Sequence, residues 1–584
     1  MTLTHIPSKD AALEQTIERF QQQLARLGFN IEQASWLNPV PHVWSVHIRD
    51  RDCPQCFTNG KGATREAALA SALGEFFERL SCNYFFADFY LGRELADSAF
   101  VHYPNERWFA LTEDDSLPEG LLDEHLLEFY QQQGELSASQ LLDLQSGNQE
   151  RGICALPFVR QSDGRTSHIP VNIIGNLYVS NGMSAGNNSA EAHSQALAEI
   201  CERHVKQRIL TEAISLPPIP DSVLDEHPGV REALRELEAA GYPTLTLDAS
   251  LGGQFPVVCV VLFNRDNGTS FASFGAHPNF AVALERTVTE LLQGRNLNQL
   301  DVFAEPTFDN ELVADPTNLE THFTDSSGHL GWDMLRSPAD YPFVRWNFEG
   351  DNQQTRQHLL DLLHGLGHEV YIADYNHLGV DACRILVPGM SEIYPLDDLF
   401  HANNNTGLGW RELICSLPQQ QAQPEDFLTL LETLNEENLA DDLLISEFLG
   451  LLFSPDSAWA SLRVAELKAM LALAGGDHAS ALEWVQWQLN YNQCGLAPER
   501  LRHYLCLTSL LQLGQAHGLD ALENYAGALA WQYGEHTLDE ALATVLGERR
   551  FHGLEAVDSE NLTDLPAMQH LLAAYGKLQK AKTT

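Results

Sequence analysis

Two hydrophobic rhythms alternate along the first four hundred residues, and only one continues after them. Apolar positions recur at helical spacing over residues 10–27, with Asp10 placed to cap that helix. Val43, Trp44, Val46 and Ile48 then read as a strand. A helix is expected over residues 64–84, with Leu73, Phe76, Phe77 and Leu80 on one face. A second helix is expected over residues 189–210, hiding Leu197, Ile200 and Cys201. Strands are expected at residues 153–159, 171–179, 244–248, 257–263 and 271–275. A third helix follows at 280–292, then one at 355–366 and strands at 370–374 and 382–387. Residues 85–148 and 300–350 read as irregular and acidic.

After about residue 405 the strand rhythm stops. From Pro424 onward the spacing is helical almost throughout. Residues 463–473 and 481–489, around Gly475-Gly476-Asp477, read as a helical hairpin of tetratricopeptide type, and residues 498–513 add a helix. Gln419-Gln420-Gln421 and Gln423-Pro424 mark a linker. The expected fold is an α+β domain over residues 1–405, containing a duplicated helix motif, followed by an all-helical tetratricopeptide-like domain over residues 424–584.

With 584 residues, 44% of them hydrophobic, the chain can bury sizeable cores. Its 80 acidic and 35 basic residues give a formal charge of -45, which repels nucleic acid and anionic membranes. Ten scattered cysteines read as reduced thiols in a cytoplasmic protein, and the start lacks the basic and apolar regions of a signal peptide. The longest apolar run, residues 256–263, is too short to span a bilayer and reads as a buried strand.

The polar faces of the helices carry the candidate chemistry. The pattern Ala-Leu-x-Glu-x-x-Glu-Arg occurs twice, as Ala72 to Arg79 and as Ala196 to Arg203. A turn signal precedes each copy, Thr58-Asn59-Gly60 and Ser180-Asn181-Gly182. At about 100° per residue, Ser71, Glu75, Glu78 and Arg79 share one face of the first helix. Glu191, Gln195, Glu199, Glu202 and Arg203 form a similar stripe on the second, and Arg286, Glu290 and Gln293 one on the third. Should these faces converge, six carboxylates share a cleft with three arginines. Two carboxylates about 5.5 Å apart repel by roughly 3 kcal/mol at an effective dielectric near 20. Such a cluster takes up protons or recruits a cation, and hard oxygen ligands suit Mg²⁺. The arginine forks suit phosphate, as do the loop Gly182, Ser184, Gly186, Asn187 and the helix N-terminus behind it.

The residues alone leave another reading open, because i, i+4 acid–base pairs are common on solvated helix faces. Cys53-Pro54-Gln55-Cys56 has no second ligand pair for zinc and reads as ordinary thiols. There is no P-loop sequence. The Glu-x-x-His of di-iron helices is absent from the motif, since Glu78 and Glu202 stand where the histidine belongs. His204, on the apolar face, reads as a core residue.

Ser71-x-x-x-Glu75-x-x-Glu78-Arg79, Ser184 to Arg203 and Arg286-x-x-x-Glu290-x-x-Gln293 resemble the ATP-binding motifs of the YcaO family. Residues 9–14, residues 172–182 and the helical C-terminal region extend the resemblance over essentially the whole chain. It is similar to bacterial members that serve as accessory factors for methylthiolation of a small-subunit ribosomal protein. The resemblance implies ATP and Mg²⁺ as cofactors. It makes Glu75, Glu78, Glu191, Glu199, Glu202 and Glu290 metal or nucleotide ligands. Ser71, Ser184, Asn187, Arg79, Arg203, Arg286, Gln293 and Lys9 would contact nucleotide or phosphate. It implies ATP-driven phosphorylation of an amide oxygen, and a methylthiotransferase and a ribosomal protein as partners. One departure stands out: azoline-forming members end in a proline-rich segment, whereas this chain ends Lys577 to Thr584 without one. Backbone cyclodehydration is therefore not expected, and no residue is assigned as catalytic base. The alternatives are an adaptor that holds ATP as a structural ligand and an unrelated Mg²⁺-dependent phosphohydrolase. A homodimer is expected from the stacked C-terminal helices.

Overall fold

The computed structural model describes residues 3–132, 134, 136–143, 147–177, 180–300, 302–392, 406–492 and 495–583. Every strand pairing among them is antiparallel, and the strands form three sheets. The first sheet runs β1 (Ile31–Val40), β2 (Val43–Asp50), β3 (Phe57–Gly62). The second has β9 (Val257–Phe263) between β8 (Thr244–Asp248) and β10 (Ser270–Ala276). The third follows the order β4 (Arg107–Phe109), β5 (Ile153–Arg160), β11 (Tyr371–Tyr375), β12 (Asp381–Leu386), β7 (Met183–Gly186). In it β6 (Thr166–Pro170) also pairs with β5.

The three expected helices are present, each laid against its own sheet. The first motif helix is Arg65–Ser81, started by Thr64, whose side chain accepts from the Ala67 amide. The second is Ser189–Thr211, capped by Asn188, and the third is Phe280–Leu291, capped by Asn279. Glycines let two of them touch the strand beneath. A Cβ on Gly60 of β3 would lie 2.1 Å from the Ala68 carbonyl oxygen and 2.3 Å from the Ala72 nitrogen. One on Gly275 of β10 would lie 2.4 Å from Thr287 Oγ1 and 2.7 Å from its nitrogen. The apolar faces behave as expected: Leu73, Phe76, Phe77, Leu80, Leu197, Ile200 and Cys201 are fully buried. Val257 to Leu262 are also buried, which fits the middle strand of a covered sheet.

The C-terminal region is helical, including Val464–Ala474, His478–Asn492 and Pro498–His517. Its last helix, Pro566–Thr583, returns to the first sheet. Leu571, Tyr575 and Leu578 join Phe20, Phe76 and Phe77 in one buried cluster. Lys582 Nζ donates to Asn83 Oδ1 (2.6 Å) and to the His102 carbonyl (3.0 Å). Lys577 lies 3.7 Å from Asp50. None of the described helices is long and apolar enough to cross a membrane.

Four local expectations are corrected. Asp10 does not cap the N-terminal helix Leu13–Leu27; Ala12 stands at its N-cap, and Asp10 binds the second motif helix instead. Residues 171–176 are a helical turn, Val171–Asn176, entered through Pro170, where a strand was expected. A short apolar run does not separate the two conformations by itself; Tyr178 and Val179 lie outside the described residues. Asn59-Gly60 is not a turn but part of β3, with glycine required by the helix above it. Gln293 lies past the end of the third helix, so it does not share a helical face with Arg286 and Glu290. The expected boundary at 405 also borders residues outside those described.

Candidate functional site

The polar faces of the three helices meet. Within the first, Arg79 Nη2 donates to Glu75 Oε1 at 2.9 Å, and its Nε lies 3.9 Å from Glu78 Oε1. The second copy repeats the arrangement, with Arg203 Nε donating to Glu199 Oε1 at 3.0 Å. Arg203 also reaches Ser180 Oγ at 3.3 Å. Both arginines lie against aromatic rings, Arg79 4.1 Å from the centre of Tyr84 and Arg203 5.8 Å from that of Phe323. These contacts fix the guanidinium planes as well as neutralising the carboxylates.

Electrostatics shows that the helices share one environment. Burial pushes Glu78 well above the ordinary carboxylate range; Arg79 opposes this, while Glu199 on the second helix and Glu75 add to it. Burial likewise raises Glu202, against the pull of Arg286 on the third helix and Lys61 on β3. Glu202 Oε2 accepts the Ala276 amide at 3.1 Å, which ties the second helix to the end of β10. Glu290 is ion-paired with Lys61. Burial lowers Lys61 to about 8, and Glu202, Arg286, Glu75 and Glu199 are the charges it feels.

A second group closes the other end. Glu191, almost fully buried, accepts from Lys9 Nζ (3.2 Å), the Asp10 amide (3.0 Å) and Asn187 Nδ2 (3.1 Å). Lys9 also approaches Gln195 Oε1 at 3.4 Å. Asn187 Oδ1 accepts from Thr16 Oγ1 at 3.1 Å, so the N-terminal helix holds this loop. His277 joins the two groups: burial lowers it to about 3, and Arg286 and Lys9 are the charges that lower it further. Ser184 on β7 is fully buried, and its hydroxyl has no hydrogen-bond partner. Ser71 is half-buried one turn ahead of Glu75. Gln293 donates to the Asn59 carbonyl of β3, which places it at the rim beside Lys61.

The sequence-predicted carboxylates thus gather in two adjoining groups, each carboxylate held by a cation or an amide. Sequence reasoning missed Lys61, Lys206 and His277. Lys61 had a signal, because strand alternation after Thr58 puts Asn59 and Lys61 on one face. Lys206 lies one turn beyond Glu202. It is buried, donates to the His322 carbonyl at 2.6 Å, and is lowered by burial to about 8.

The residues fit a divalent cation and phosphate. The donors are carboxylate and hydroxyl oxygens, which suit a hard cation. Raised carboxylates mark a place where added positive charge is favourable. The amides opening the second helix lie beside Asn187 and Glu191, and the Ser184 hydroxyl of β7 is a buried donor without a protein partner. Other candidates are less suited. Cys53 and Cys56 are buried, with their sulfurs 3.8 Å apart, as packed thiols. His204 packs against Phe255, and burial lowers it to about 4, as a core histidine behaves.

A model of the YcaO cyclodehydratase, ATP- and Mg²⁺-binding domain matches residues 59–391, and one of the YcaO cyclodehydratase C-terminal domain matches residues 407–584. The chain is 59% identical over 582 residues to the ribosomal protein S12 methylthiotransferase accessory factor YcaO of Escherichia coli, covering 100% of this chain and 99% of that one. It is 55% identical over 580 residues to an uncharacterized protein of Haemophilus influenzae, covering 99% and 98%. Among solved structures it is similar to YcaO from Methanopyrus kandleri bound with AMPPCP and Mg²⁺. That likeness has a TM-score of 0.41 at 18% identity and covers 67% of this chain and 95% of that one.

Proposed function

The chain belongs to the YcaO family, whose members bind ATP and Mg²⁺, and from that premise we propose that the three-helix cleft is this chain's Mg²⁺–ATP site and that the protein assists methylthiolation of a small-subunit ribosomal protein. The observation that carries the site is the meeting of two copies of one Glu-x-x-Glu-Arg motif with Arg286, Glu290 and Lys61. The ribosomal role is supported by the full-length likeness to the E. coli accessory factor.

In this reading Glu75, Glu78, Glu191, Glu199, Glu202 and Glu290 hold Mg²⁺. Arg79, Arg203, Arg286, Lys9 and Lys61 hold the phosphates, with Ser71, Ser184, Asn187 and Gln293 completing the pocket. Bound Mg²⁺ supplies the countercharge that lets phosphates and carboxylates share one cleft. The arginines are already oriented by their carboxylate partners and by the rings of Tyr84 and Phe323, so little side-chain entropy is lost when an anion enters. Hydrolysis of ATP and activation of an amide are part of the proposal. The chain works in the cytoplasm and pairs with a methylthiotransferase. The division into residues 1–405 and 424–584 is supported by the separate matches to residues 59–391 and 407–584.

Mass spectrometry of the ribosomal protein tests the role. Cells lacking this chain should lose the methylthio mass. Wild type should restore it and Glu78→Ala should not. Full modification in the deleted strain sinks the reading. One observation favours the adaptor alternative: Trp531, on the helix Ala526–Tyr533, is 94% exposed and offers an anchor for a partner or a second copy. Removing the C-terminal region is a poor test, because its last helix shares a core with the first motif helix. Trp531→Ala is the sharper one: an adaptor loses the partner, or the dimer, and keeps ATP.

A further inference from the structure

Between Arg295 and Arg336 the chain has no lysine or arginine, yet seven carboxylates fall from Glu305 to Asp333. Over the whole chain acids outnumber bases 80 to 35, so seven acids would ordinarily come with about three bases. The same segment shows unusual apolar exposure. Phe308 is 79% exposed and Trp332 39%, and the two rings stack with centroids 6.1 Å apart. Leu312, 41% exposed, follows on the next helical turn, Asn310–Ala314. Glu305, Asp309, Glu311 and Asp315 around them are all exposed. An aromatic pair kept in water by a rigid frame, with Trp332 N donating to the Thr307 carbonyl at 2.9 Å, costs free energy that a partner would recover.

The inner side of this segment rests on the cleft. His322 gives its carbonyl to Lys206, and Phe323 lies 5.2 Å from the Lys206 ammonium and 5.8 Å from the Arg203 guanidinium. The exposed aromatic pair therefore flanks the short helices Asn310–Ala314 and Pro316–Thr324, the second of which meets Lys206 and Arg203 of the second motif helix.

We propose that the Phe308–Trp332 surface docks a basic polypeptide segment of another protein, with an aliphatic or aromatic anchor on the two rings and its lysines and arginines on the acidic rim. Charge decides among occupants. A second copy joined by a two-fold axis would set this rim against itself, and a chain of charge -45 gains nothing from such a contact. Anionic membranes and nucleic acid are repelled for the same reason. A basic segment is drawn in by the field and held by the rings. This goes beyond the ATP reading and stands without it, since no nucleotide takes part in the contact.

The test uses the full chain and a fluorescent 16-residue probe peptide, half lysine and arginine, with one central leucine. Anisotropy titrations compare wild type with Phe308→Ala/Trp332→Ala, with Glu305→Lys/Glu311→Lys, and with Glu432→Lys/Glu436→Lys as an equal charge change on a distant exposed helix. The proposal expects at least tenfold weaker binding for the first two variants and less than twofold change for the third. Mg²⁺–ATP affinity, measured separately by calorimetry, should stay the same in all of them. A probe that ignores the wild type, or that binds the aromatic variant undiminished, overturns the proposal. So does an equal loss in the distant variant, which would mean attraction to net charge alone. A change in oligomeric state of the aromatic variant by light scattering would make the occupant a second copy and overturn it too.

Discussion

Lys61 of β3 and Glu290 of the third helix form an ion pair across the mouth of the cleft, joining the first sheet to the helix that packs on the second. The pair is enclosed but not sealed, with side chains 24% and 35% exposed. It places a cation among four carboxylates, where burial lowers it to about 8 and Glu202 draws it back up.

In the proposed site this position should make phosphate binding sensitive to pH. A lysine whose folded value is depressed is charged below about 8 and neutral above it. ATP affinity should therefore fall as pH rises through about 8, and Lys61→Met should be weak at every pH with that inflection gone. Lys61→Arg should keep the affinity and shift the inflection out of range. Calorimetry between pH 6.5 and 9.5 reads the profile; an inflection that persists in Lys61→Met would clear Lys61 of the role. A loss of roughly 10-fold is expected, as for one charged hydrogen bond.

Glu78 and Glu202 are shifted the other way, and they too disfavour high pH. Burial raises both above the unfolded value of 4.5, so their contribution to folding is fully present below 4.5 and is lost as pH rises through their folded values. The apoprotein should lose stability over that rise, and Glu78→Gln should reduce the loss while weakening Mg²⁺–ATP binding by roughly 10- to 100-fold. Mg²⁺–ATP should stabilise the wild type more than the variant. Melting curves with and without ligand separate this from a structural role, in which Glu78→Gln would lower both.

Ser184 offers a cleaner separation. Its hydroxyl is buried without a partner, so Ser184→Ala removes a polar atom that makes no protein bond. The melting point should stay level or rise, while ATP affinity drops about tenfold. Unchanged affinity would mean the hydroxyl plays no part in binding.

Gly60→Ala tests how the motif helix is seated. A methyl group would meet the backbone at Ala68 and Ala72, so strand and helix must separate. The expected cost is roughly 1–3 kcal/mol in urea unfolding, with ATP affinity reduced because Lys61 lies one residue on. A neutral substitution would show that the close approach is dispensable.

Much of the site was legible because helical spacing is a strong signal. Leu73, Phe76 and Phe77 fixed which face of the first motif helix is buried, and that placed Glu75, Glu78 and Arg79 on the other. The strand side of the site is less legible. Asn59-Gly60 looks like a turn by local chemistry, yet here the glycine makes room for the helix backbone at Ala68 and Ala72, and Thr58 Oγ1 donates to the Ala72 carbonyl. Lys61 was hidden by that misreading. Gln293 was placed by extending a helical period past its last turn, since local spacing does not show where a helix stops. Residues 171–176 failed for a related reason: a short apolar run after Pro170 suits strand and helix equally.

If carboxylates and arginines of three helices make one Mg²⁺-dependent ATP site, removing a group from any one helix must weaken the same binding event. Calorimetric titration of ATP, with and without Mg²⁺, into wild type and into Glu78→Gln, Glu202→Gln and Arg286→Met, one substitution per helix, tests it most directly. Mg²⁺-dependent binding at one site per chain is expected in the wild type, with a marked loss in all three folded variants. Wild-type affinity in any one of them, or binding indifferent to Mg²⁺, would contradict it.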